Sequence, residues 1–84
     1  MENRILIVED DEGISNLIKI NLSMAGYESK QVFDGLEAFH ILKKERFDIV
    51  ILDLMLPGMD GFELMERIRY LDIPVIFLTA RNGL

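Results

Sequence analysis

Residues 49–53, Ile-Val-Ile-Leu-Asp (IVILD), decide the fold: four consecutive apolar residues end abruptly on a carboxylate. Such a run has no polar face, so it reads as a strand buried on both sides, as the central strands of parallel sheets are. Residues 5–8 (ILIV) form a second run of this kind, and they too end on acids, Glu9 and Asp10. Pro74 introduces a third, Val75, Ile76, Phe77 and Leu78, followed by Thr79. A shorter, more polar strand lies at residues 27–32 (YESKQV).

Between these strands the periodicity becomes helical. Ile14, Leu17, Ile18, Leu22 and Ala25 recur at helical spacing, and Gly26 stands where a C-terminal cap belongs. Asp34 with Glu37 reads as an N-cap and capping box, opening a helix that carries Leu36, Phe39 and Leu42 inward. Asp60 with Glu63 repeats the signal for a helix carrying Phe62, Met65 and Ile68. The order β-α-β-α-β-α-β predicts an α/β chain with a parallel sheet.

The polar strand at residues 27–32 is the natural sheet edge. With the first strand beside it and the third and fourth extending the other way, the order is 2-1-3-4. Right-handed crossovers then place the first helix on one face and the second and third on the other. That leaves one face thinly covered and an apolar fourth strand as an open edge, which parallel sheets rarely tolerate. A further strand and a helix for the bare face are therefore expected after Leu84.

Composition bounds the rest. The chain has 84 residues, half of them apolar and 29% charged, as expected of a single ordinary globular domain. Without Cys there are neither disulfides nor thiolate metal sites, which fits a reducing compartment. Glu9, Asp10, Asp11 and Glu12 interrupt the N-terminal apolar run, so it is no signal peptide, and no run is long enough to span a membrane. The net charge of −6 argues against direct nucleic-acid binding and for divalent cations or basic partner surfaces.

Ligands of open parallel sheets bind beyond the carboxyl ends of the strands, where strand order reverses. That point lies between the first and third strands, which end on Glu9-Asp10 and on Asp53. Carboxylates converging there repel one another unless a cation offsets the charge. A hard divalent ion with oxygen ligands, Mg²⁺ above all, suits the set. Asp11 and Glu12 have an ordinary structural reading in the first turn of a helix, where they favour its dipole.

The run at residues 5–11 (ILIVEDD), the segment at residues 48–61 (DIVILDLMLPGMDG) and the strand end at residues 77–81 (FLTAR) together resemble the receiver domain of bacterial two-component response regulators. The resemblance implies a flavodoxin-like, doubly wound parallel sheet. It makes Asp53 the phosphoacceptor, whose carboxylate attacks the phosphorus of a sensor histidine kinase's phosphohistidine to form an acyl phosphate. It makes Glu9, Asp10, Asp53 and the backbone carbonyl of Met55 the Mg²⁺ ligands. It makes Thr79 the switch hydroxyl, Ala80 the small residue that leaves room for the phosphoryl group, and Pro57 and Gly61 the residues shaping the adjacent loop. A cytoplasmic, non-enzymatic signalling domain is implied, with a parent that carries an effector such as a DNA-binding winged helix.

The departures from the family pattern shape the remaining expectations. The family's fifth strand ends in a Lys that pairs with the phosphoryl group; here Lys19, Lys30, Lys43 and Lys44 fall in the wrong elements. Residues 1–84 therefore read as the N-terminal two-thirds of a receiver, with the fifth strand and last two helices missing. Such a fragment is impaired in taking or keeping a phosphoryl group. Its exposed fourth strand and bare sheet face favour self-association or a swapped oligomer.

Two alternatives stand beside this reading: a non-phosphorylated pseudo-receiver that docks a partner, and an Mg²⁺-dependent phosphatase with an Asp nucleophile. Enzymes of the haloacid dehalogenase type need a second acid two residues on, where Met55 stands. No Gly-rich turn follows the first strand to cradle a dinucleotide. His40 reads as a surface residue, Met24, Met59 and Met65 as apolar filler, and Lys43, Lys44 and Arg46 as a solvated helix end.

Overall fold

The alternation of apolar runs and helical periodicity becomes β1 (Arg4–Val8), α1 (Glu12–Met24), β2 (Glu28–Val32), α2 (Gly35–Lys44), β3 (Ile49–Asp53), α3 (Gly61–Ile68) and β4 (Val75–Leu78). The structure, a computed structural model, describes residues 3–56 and 59–78. The readings of Pro57, Thr79 and Ala80 fall outside these described residues. All strands are parallel, in the order β2-β1-β3-β4, so the fold is the doubly wound sheet expected.

Register explains the core. Leu6 pairs with Val50 and Val8 with Leu52, and these four side chains meet Ala38 and Leu42 of α2 and Leu64 and Ile68 of α3 on one face. Ile5 and Ile7 alternate to the other face and are also buried. On that face α1 packs against β1 and β2. Among the described residues β4 has β3 as its single strand neighbour. There Ile76, in register with Ile51, remains 52% exposed.

The capping signals resolve as local hydrogen bonds. The side chains of Asp11, Asp34 and Asp60 accept from the N–H groups of Ile14, Glu37 and Glu63. In α2 the reciprocal arm closes on Phe33, whose N–H donates to Glu37 at 3.3 Å. In α3 Glu63 instead accepts from Arg67, one turn on. Gly26, at φ 94°, takes the left-handed conformation that ends α1.

Two inward assignments are corrected. Leu36 is 50% exposed and Phe62 67%. Each is the second residue of its helix, where the chain is still rising from the loops beyond the strand ends, and Ala38 and Leu64 fill the core instead. Leu17 is exposed as well, because α1 turns Ser15 toward the sheet. Met59 and Met65 do pack against the core, but Met24 is exposed. The sequence pattern gave no sign of the single 3₁₀ turn at Arg69–Leu71, which closes on Asp72 in the left-handed region at φ 58°.

Candidate metal centre at the carboxyl ends of β1 and β3

Because β1 and β3 are adjacent, parallel and in register to Val8 and Leu52, the residues that follow those pairs, Glu9 and Asp53, arrive side by side. β1 has β2 on one side and β3 on the other, so this is where strand order reverses. Glu9 is 1% exposed and Asp53 4%, while Asp10 faces solvent. One carboxylate oxygen from each of Glu9, Asp10 and Asp53 lies within 4.8 Å of the others. With all three ionised, the carboxylates repel one another, and solvent at the exposed Asp10 screens only part of that repulsion. A hard divalent cation converts that repulsion into attraction. A donor set of carboxylate oxygens, two of them from buried residues, fits Mg²⁺.

Backbone groups hold the acids in place. The Glu9 N–H donates to the Val32 carbonyl at 3.2 Å, which carries the β1–β2 ladder past the strand end. The Asp11 N–H donates to Glu9 Oε2 at 2.9 Å. The Met55 N–H donates to Asp53 Oδ1 at 3.2 Å. Below this loop the Gly61 N–H donates to the Leu54 carbonyl at 3.1 Å. A Cβ on Gly61 would stand 2.7 Å from Leu54 Cα and 3.0 Å from the Asp53 carbonyl oxygen. Only a glycine lets α3 start this close to the acid-bearing strand.

Three lysines are engaged elsewhere. Lys19 Nζ donates to the Ser29 carbonyl, Lys30 Nζ to Glu45, and Lys43 lies over the Phe39 ring. His40 is exposed and tilted against Phe39. At the opposite end of the sheet Arg4 donates to Glu45 Oε1 at 2.9 Å and to the Arg46 carbonyl, its guanidinium lying over Phe47. The Arg4 hydrogen bond, then that of Lys30, holds the Glu45 carboxyl below its ordinary range.

Two contributors were not found by pattern. Ser15 is fully buried, and its hydroxyl accepts from Gln31 Nε2 at 2.9 Å, with Asn16 Oδ1 accepting from the same amide at 2.8 Å. The pair fastens edge strand β2 to the helix that begins beside Glu9. A serine set among the apolar positions Ile14, Leu17 and Ile18 was the available signal. Gly35 is the other.

The family described as the response regulator receiver domain matches residues 5–84. The DNA-binding dual master transcriptional regulator RpaA of Synechocystis is 47% identical over 81 residues, covering 92% of this chain and 34% of that protein. Sporulation initiation phosphotransferase F of Bacillus subtilis is 44% identical over 86 residues, covering 100% of this chain and 69% of that protein. The receiver domain of a Pseudomonas aeruginosa sensor histidine kinase, solved with a magnesium ion coordinated in its active-site cleft, superimposes with a TM-score of 0.90 at 32% identity. That match covers 96% of this chain and 70% of the other. Against three transcriptional regulators among its relatives, the chain spans 34%, 35% and 36% of their length.

Proposed function

The chain belongs to the response regulator receiver domain family, a signalling module of two-component systems, and from that premise we propose that Asp53 is its phosphoacceptor and that Glu9, Asp10, Asp53 and the Met55 carbonyl hold Mg²⁺ beside it. The observation that carries this reading is the convergence of the three carboxylates within 4.8 Å at the strand-order reversal. In the proposed step, an Asp53 carboxylate oxygen bonds to the phosphorus of a histidine kinase's phosphohistidine as the phosphorus–nitrogen bond breaks. The imidazole leaves with the bonding electron pair and gains a proton from water, and Asp53 becomes an acyl phosphate. Bound Mg²⁺ supplies charge neutralisation on the phosphoryl oxygens. The Met55 N–H keeps the attacking carboxylate oriented. Thr79 donates its hydroxyl to a phosphoryl oxygen in this reading, and Ala80 leaves room for the group.

The remaining assignments belong to the same proposal. Residues 1–84 correspond to the N-terminal two-thirds of a receiver, supported by coverage of 69% and 70% of two relatives. Partners are a sensor histidine kinase and, through the exposed edge of β4, a second copy of the chain. Any nucleic-acid contact belongs to an effector in the parent, since this segment carries a net charge of −6. No helix among the described residues is long and apolar enough to cross a membrane; the family membership supports placing the domain in the cytoplasm. The module is not an enzyme acting on a separate substrate; its chemistry is confined to its own Asp53.

Acetyl phosphate with Mg²⁺, read by intact mass, tests the proposal. The expected result is a Mg²⁺-dependent adduct of one phosphoryl group that Asp53→Asn abolishes. We expect labelling to be substoichiometric and short-lived, since among the described residues Lys19, Lys30 and Lys43 are engaged away from the site. Equal labelling of Asp53→Asn overturns the phosphoacceptor assignment. Stable stoichiometric labelling overturns the impairment, and no labelling at all favours the pseudo-receiver.

A further inference from the structure

Met59, in the segment between β3 and α3, meets the first turn of α2. Gly35, the first residue of that helix, is buried. Its backbone is not in the left-handed region, so space rather than φ demands the glycine. A Cβ at Gly35 would stand 2.8 Å from the Met59 carbonyl carbon and 2.9 Å from Met59 Cβ, and nearer still to the Met59 carbonyl oxygen. Met59 cannot swing aside, because it is buried in the cluster that also holds Ala38 and Leu64. From Met59 the chain continues to Asp60, which caps α3, and to Gly61, which donates to the Leu54 carbonyl and abuts Asp53.

We infer that Gly35 is a positioning residue for the metal centre: the bare backbone of the first turn of α2 sets the depth of Met59 and, through Asp60 and Gly61, the placement of Asp53 and Met55. The inference rests on the reading of Glu9, Asp10, Asp53 and Met55 as metal ligands. Two glycines in two helices thus bracket the loop, Gly61 against Leu54 and Gly35 against Met59.

Mn²⁺, an oxygen-seeking probe that Mg²⁺ displaces, reports this by electron paramagnetic resonance without any phosphoryl chemistry. Gly35→Ala is expected to bind Mn²⁺ about tenfold more weakly than the parent, the lower end of what outer-sphere changes cost metal sites. Ala38→Gly, in the same helix, loses stability without entering the Met59 backbone and is expected to bind as the parent does. Asp34→Ala, which uncaps the first turn, weakens binding, whereas Asp34→Asn, which removes the same charge but keeps a cap, binds more tightly than Asp34→Ala. A folded Gly35→Ala chain with parental affinity overturns the inference. If that variant does not fold, equal affinities of Asp34→Ala and Asp34→Asn overturn it. A parent chain that binds no Mn²⁺ overturns the metal-ligand reading first, and this inference with it.

Discussion

The Met55 N–H donates to Asp53 Oδ1 at 3.2 Å, so the residue whose carbonyl we assign to the metal also orients the carboxylate we assign to the phosphoryl group. Asparagine at position 53 keeps that acceptor oxygen but removes one charge from the cluster. Asp53→Asn is therefore expected to stabilise the metal-free chain by on the order of 1 kcal/mol, which raises its melting temperature by roughly 4–8 °C. A melting curve in chelator checks this, and a lower midpoint would refute it.

The same charge argument fixes the response to metal. At a Mg²⁺ concentration about ten times the dissociation constant, binding stabilises the parent by about 1.4 kcal/mol. Glu9→Gln and Asp10→Asn each remove an acid from the set and are expected to shrink that Mg²⁺-dependent shift. Thermal melts with and without Mg²⁺ measure it, and an undiminished shift in both variants counts against the assigned ligands.

Gly61→Ala forces a methyl group against the Leu54 Cα and the Asp53 carbonyl oxygen, backbone atoms that cannot rotate away. The expected cost is on the order of 2–3 kcal/mol of stability. Chemical denaturation reads it directly, and a variant as stable as the parent shows that the start of α3 has more room than the structure gives it.

Glu45 supplies the pH dependence. Its folded carboxyl titrates below its ordinary 4.5 because Arg4, then Lys30, hydrogen-bonds the charged form. The contribution is full above 4.5, where the unfolded chain is also ionised, and is lost as pH falls through the folded value. Glu45→Gln is therefore expected to be less stable than the parent at neutral pH and to converge with it in acid. All three groups, Arg4, Lys30 and Glu45, stay partly exposed, so the gap is small. Parallel denaturation curves at neutral and acid pH show the convergence or its absence.

The fold was legible because IVILD and ILIV leave no polar face, so strand identity, strand order and the convergence of Glu9 with Asp53 followed from alternation and handedness. Helix faces were less legible. Spacing marks an apolar stripe but not where a helix begins relative to the sheet end, so Leu36 and Phe62 were assigned inward and lie exposed. Ser15 escaped because its burial depends on Gln31, a partner on another element. Gly35 escaped because its constraint is the backbone of Met59, distant in sequence, and no local pattern encodes a contact of that kind.

The edge of β4 carries the last prediction. Among the described residues β4 pairs with β3 alone, and Ile76 and Phe77 are both exposed large apolar side chains. An apolar edge with unpaired backbone groups is a template for another strand. The parent chain is therefore expected to associate as concentration rises, with a sedimentation coefficient that climbs accordingly. Ile76→Lys places a charge on a side chain that is already half exposed, so it disfavours stacking of the edge while leaving the Leu6, Val8, Val50 and Leu52 core intact. Sedimentation velocity over a concentration series separates the outcomes: the variant remains monomeric where the parent associates. A parent that sediments as one monomeric species throughout would show that β4 is protected without a second copy.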